Sequence, residues 1–143
     1  RSTLPSPLAV RVVLDTNVLV SALLVHEGPP GRILDAVLDG SLMLVTSLPL
    51  MAELREVLAY PKIRRRLGDR HQAAVRFLDH LPFFAEIIDT TTAELPTLRD
   101  ADDREPLAAS IVGAADWLVS GDQDLQVLAA DWPILTPAEF ARR

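Results

Sequence analysis

Short apolar runs and helical apolar patterns take turns along this chain. Residues 10–14, VRVVL, are dominated by β-branched apolar side chains, as in a strand buried on both faces, and MLV within 42–45, FAEII at 84–88 and DWLVS at 116–120 read similarly. Between these runs the apolar spacing predicts helices over 17–25, 30–39, 48–59, about 69–81, 103–114 and 123–129. A final turn or two starts from Pro137, a residue suited to a first helical position. Strands that alternate with helices imply one parallel sheet covered on both faces, an α/β domain over 10–143 with no repeat or linker dividing it.

Polar residues break the pattern at particular joints. Sites in open parallel sheets gather at the carboxyl ends of strands. Asp15 ends the first strand, Asp122 and Asp124 follow the last long one, and Asp100, Asp102 and Asp103 precede a helix leading into it. In LPLMAELREVLAY the residues Leu50, Met51, Leu54, Val57 and Leu58 form one stripe. At roughly 100° per residue, Glu53 falls at the edge of that stripe, whereas Glu56 points to water. The same wheel on 103–115 puts Asp103 at the stripe's edge and Asp102 on the far side, as a cap or surface charge. Pro106 is tolerable in that helix's first turn, where N–H groups have no intrahelical partner.

Composition narrows the chemistry. At 143 residues and 49% hydrophobic content the chain can fill one sizeable core, and no run of about 18 uncharged apolar residues offers a membrane span. Residues 1–9, RSTLPSPLA, read as a flexible leader or an expression remnant outside the fold. The absence of Cys removes disulfides, thiolate zinc sites and a Cys nucleophile, and fits a cytoplasmic location. His26, His71 and His80 have no metal-ligand spacing; His71 and His80 are read as surface residues, and Trp117 and Trp132 as core. A net charge of −6 argues against a protein coated for nonspecific nucleic-acid binding, unless acids and bases are segregated. They are: Lys62, Arg64, Arg65, Arg66 and Arg70 form the strongest local charge run.

Asp15, Glu53, Asp103 and Asp122 thus stand around one cleft with no base at the same stations, and oxygen-only ligands select hard cations such as Mg²⁺ or Mn²⁺. The segments VVLDTNVLVSAL (12–23), TSLPLMAELREVL (46–58), DADDREPLAASIVGAADWLVSGDQDL (100–125) and ILTPAEF (134–140), in this order and spacing, resemble the PIN-domain family over nearly all of residues 10–140. The resemblance implies a three-layer α/β/α sandwich around a parallel sheet of four to five strands. It also implies a Mg²⁺- or Mn²⁺-dependent ribonuclease, often the VapC-like toxin of a type II toxin-antitoxin pair, with a small antitoxin and a homodimer as frequent partners.

Carried over by position, Asp15, Glu53, Asp103 and Asp122 are the acidic quartet that holds metal and activates water. Asn17 is the polar residue that orients the first Asp, and Ser120 stands where the family usually has Thr. Asp100 and Asp124 are within reach of a second metal or its waters. Metal held there lowers the pKa of a bound water and stabilises the entering and leaving oxygens of a phosphodiester. The basic run is the expected contact to RNA phosphates. The departure from the family pattern is REPL at 104–107, whose proline could shift the register of Asp103. A dehalogenase-type phosphoryl-transfer enzyme would want a second Asp where Asn17 stands; a non-catalytic PIN-like module binding RNA or protein is the stronger alternative.

Overall fold

The structure, a computed structural model, describes residues 9–96, 98 and 101–143. Five strands form one sheet in the order β3-β2-β1-β4-β5: β1 (Val10–Leu14), β2 (Leu42–Ser47), β3 (Ala85–Ile88), β4 (Trp117–Val119) and β5 (Ile134–Leu135). Every neighbouring pair is parallel, with Val12 beside both Leu44 and Trp117 at the centre. The three-layer α/β sandwich expected from the sequence is therefore the observed fold.

Its layers follow from the period of a strand. Val12 and Leu14 point to one face, where they meet α1 (Thr16–Leu24), α2 (Pro29–Leu38), α3 (Leu48–Leu58) and α5 (His71–Phe84) through Val18, Ile33, Leu54 and Leu78. Val13 points to the other face, packed with Val45 and Leu118 against Leu107 and Ala109 of α6 (Arg104–Val112) and Leu125 of α7 (Gln123–Gln126). The chain winds outward from β1 to β3 on the first face and returns to β4 and β5 on the second. The change of direction falls between β1 and β4, so a crevice opens beyond their carboxyl ends.

Several boundaries differ from the sequence expectation. The basic stretch is a helix of its own, α4 (Pro61–Leu67): Pro61 opens it, and Ile63 and Leu67, one turn apart, face the core. The helix expected over 69–81 begins as a 3-10 turn at Gly68–Arg70 and continues as α5 through Pro82 to Phe84. Burial of Leu78 and Leu81 and the packing of Phe84 on the core outweigh the one N–H that Pro82 lacks. In β1 only Val12, Val13 and Leu14 are buried, since Val10 and Arg11 lie at the open end of the sheet. The helix from Gln123 stops at Gln126 rather than 129. The terminal α8 (Pro137–Ala141) carries a full capping box between Thr136 and Glu139, and Phe140 seals the sheet's lower end. Among the described residues no helix is long and apolar enough to cross a membrane.

Candidate metal centre

Three elements end at the crevice, and each delivers an acid. β1 runs directly into α1, leaving Asp15 at the joint as the N-cap residue. Its side chain makes no capping bond to the helix's second or third N–H. The carboxylate instead accepts a hydrogen bond from Ser120 Oγ at 2.8 Å, across the β1–β4 switch. Ser120 is fully buried and its Oγ also accepts from the Asp122 N–H at 3.0 Å, so one hydroxyl couples the ends of both central strands. Burial pushes the Asp15 carboxyl above its ordinary value, the Ser120 and Thr16 hydrogen bonds oppose that rise, and the Asp122 charge adds to it.

Asp122 is the N-cap of α7, accepting from the Asp124 N–H at 2.7 Å. Asp103, only 4% exposed, sits immediately before α6. One carboxylate oxygen from each of Asp103, Asp122 and Asp124 lies within 4.8 Å of the others, the spacing of a shared cation. Pro106 does not displace Asp103: it occupies the third position of α6 and is buried there, where its missing N–H is not needed. Glu53 stands on α3 with its side chain largely exposed, yet it hydrogen-bonds the Thr16 hydroxyl and feels the charges of Asp15 and Asp102. Partial burial raises its carboxyl and those neighbours raise it further, with Thr16 opposing.

The structure thus draws Asp103, Asp122 and Asp124 into one cluster and sets Asp15 and Glu53 beside it. Asp100 lies outside the described residues. Asn17 is exposed on the first turn of α1, and the hydroxyl that orients Asp15 is that of Ser120. Asp102 faces water and Asp103 is buried, as the helical wheel placed them, although both belong to a 3-10 turn, Ala101–Asp103, that precedes α6; the Asp102 charge still reaches Glu53. Glu56 is exposed, as its wheel position predicts, and accepts from Tyr60. His71 is half-buried against the Leu58 carbonyl rather than a plain surface residue.

The bases keep apart from the acids. Lys62, Arg64, Arg65 and Arg66 are exposed on α4, which packs on α1 and α3. Arg70 donates to the Leu24 carbonyl at the end of α1 at 3.0 Å, so this member of the run braces two helices. An apolar groove of about 440 Å³, lined by Val10, Ile33, Leu42, Trp117 and Phe140, lies at the opposite, amino-terminal end of the strands.

Sequence reasoning passed over two hydroxyl residues. Thr16 holds Glu53, and Ser47 caps α3 by accepting from the Leu50 N–H at 3.3 Å. A Ser directly before an apolar helix is a readable N-cap signal; Thr16 carried none beyond its place next to Asp15.

A parallel sheet with acids gathered at its topological switch point defines an α/β domain with a candidate metal centre. A family model described as PIN domain matches residues 11–124, and the chain belongs to the PIN-domain family. PIN domains are typically nucleases that use divalent metal, and the acidic group is compatible with that. Over 116 residues the chain is 31% identical to an uncharacterized protein, MJ1680, of Methanocaldococcus jannaschii, a match covering 81% of this chain and 73% of the relative.

Proposed function

We propose that this chain is a Mg²⁺- or Mn²⁺-dependent endoribonuclease that hydrolyses RNA phosphodiester bonds. The observation that carries the reading is the convergence of Asp103, Asp122 and Asp124 within 4.8 Å beside Asp15. The donor set fits a hard divalent cation: every side chain offers oxygen, and Asp15 and Glu53 are met by hydroxyls that leave their charge intact. In this reading Asp15, Glu53, Asp103 and Asp122 hold the metal, with Asp124 adding a further oxygen. The ion supplies a water of lowered pKa and a positive charge against the phosphate.

The chain's own residues do the rest. Ser120 fixes the rotamer of Asp15, Thr16 fixes Glu53, and the exposed bases of α4 hold the RNA backbone on the flank of the cleft. The narrower assignment we propose is a role frequent among PIN domains, the toxin of a type II pair, cytoplasmic, working as a homodimer and restrained by a small antitoxin. The test is cleavage of a panel of single-stranded and structured RNAs with Mn²⁺ or with EDTA. Cleavage in Mn²⁺ alone is expected; equal cleavage in both rejects the mechanism. Mn²⁺ binding without cleavage of any RNA would favour a binding module.

A further inference from the structure

Glu105, at the second position of α6, belongs to none of the acids assigned above. A single oxygen of its carboxylate, Oε2, accepts from Ser47 Oγ at 2.6 Å and from Thr90 Oγ1 at 2.7 Å. Both hydroxyls are buried, Ser47 completely. Ser47 ends β2 and caps α3, the helix that carries Glu53, while Thr90 follows the end of β3. Glu105 itself lies two residues beyond Asp103 and three beyond Asp102. The Ser47–Ile88 pairing already holds the start of α3 beside the chain leaving β3, and one Glu105 oxygen ties to both of them a third segment that no strand pairing reaches, the turn that presents Asp102 and Asp103.

We propose that Glu105 is a positioning residue for the metal centre, holding the Asp103 segment at fixed distance from the Glu53 helix through Ser47 and Thr90. The proposal rests on the metal-dependent reading of the acidic cluster. Its chemistry is that of a carboxylate accepting two short O–H bonds, which are strong and directional because the acceptor is charged. A cation in place of the hydroxyls would also cross-link the segments, but it would cancel negative charge beside the cluster. The arrangement braces the ligands and keeps their field.

The experiment is Mn²⁺ titration calorimetry on the parent, Glu105→Ala, Glu105→Gln and Thr90→Val, each checked for fold by circular dichroism and for melting in EDTA. Partners that orient metal ligands typically contribute 10–100-fold to metal affinity. Glu105→Ala is expected to bind Mn²⁺ about 10–100-fold more weakly than the parent. Glu105→Gln, which keeps a carbonyl oxygen for the two hydroxyls, should fall within about threefold of it, and Thr90→Val should lie between them. A purely structural role would lower the melting temperature of Glu105→Ala in EDTA and leave its Mn²⁺ affinity unchanged, which overturns the proposal. Equal losses in Gln and Ala would overturn it differently, by showing that charge matters and not the hydroxyl bridge. Should Glu105→Ala fail to fold, parent-like affinity in Thr90→Val overturns it alone. A parent that binds no Mn²⁺ brings down the metal reading itself, and this proposal with it.

Discussion

Replacing Asp122 by Asn removes a charge from the most crowded point of the cleft while preserving the shape of the side chain. Two unit charges 4.8 Å apart, the outer limit of the Asp103–Asp122–Asp124 cluster, repel by about 3.5 kcal/mol at an effective dielectric near 20. Asp122 and Asp124 are half-buried, so water and salt reduce this to about 1 kcal/mol per pair. Asp122 takes part in two such pairs and also repels Asp15. The amide oxygen can still accept from the Asp124 N–H, now bonded at 2.7 Å, so the cap of α7 survives. In EDTA, Asp122→Asn is expected to be more stable than the parent by about 1–2 kcal/mol, a rise of roughly 3–8 °C in melting temperature.

Mn²⁺ at a hundred times its Kd should then stabilise the parent by about 2.7 kcal/mol and the variant far less, so the order of the two melting temperatures reverses on adding metal. Differential scanning calorimetry of both proteins with and without Mn²⁺ reads all four values. A variant that melts at the parent's temperature in EDTA, as an Asn that merely keeps the cap would, and retains the full Mn²⁺ shift would show that Asp122 is a helix cap and no ligand.

Two further outcomes follow from the same charges. Because burial raises the Asp15 carboxyl, the folded chain holds its proton to higher pH than the unfolded chain, and stability falls as pH rises from the ordinary value of 3.8 through the raised one, then levels. Urea midpoints in EDTA between pH 3.5 and 7 should therefore show Asp15→Asn gaining on the parent as pH rises; a constant difference refutes the burial cost. On the opposite flank, Arg64→Ala with Arg65→Ala should leave melting unchanged, since both side chains are exposed, while flattening the log–log salt dependence of RNA binding by about 1.4 for two lost phosphate contacts on single strands. An unchanged slope makes α4 a solvated face.

The sheet was legible because its signals are local and redundant. Val12, Val13 and Leu14 are apolar on both faces, a pattern that only a central parallel strand needs, and the acids sit where such strands end. Orientation was legible on both wheels: Glu56 is exposed on α3, and Asp103 is buried while Asp102 is exposed. The 3-10 turn that holds the latter pair escaped, because three residues carry no apolar period of their own. The helix of bases was hidden for another reason: within PKIRRRL only Ile63 and Leu67 report a core-facing side, too few to stand out from a run of charge. Glu105 was invisible because its partners, Ser47 and Thr90, lie 58 and 15 residues away along the chain and meet it only through the fold.

The hydroxyls of the cleft explain how so many acids coexist there. Ser120 meets Asp15, Thr16 meets Glu53, and Ser47 with Thr90 meets Glu105, so each of these carboxylates is held by a donor from another element. An Arg or Lys in the same places would lower the electrostatic cost of folding more effectively, because it would neutralise the charge. It would also occupy the field that a divalent cation needs. A hydroxyl contributes a directional bond, typically on the order of 1–3 kcal/mol when the acceptor is charged, and leaves the full negative charge facing the crevice. Burial of Asp15 and partial burial of Glu53, with the charges beside them, therefore remain only partly offset, as the upward direction of both carboxyls records. Under the proposed metal-dependent reading, that residual cost is what separates a site that receives a cation from a set of helix caps, for which neutralisation would have been both cheaper and sufficient.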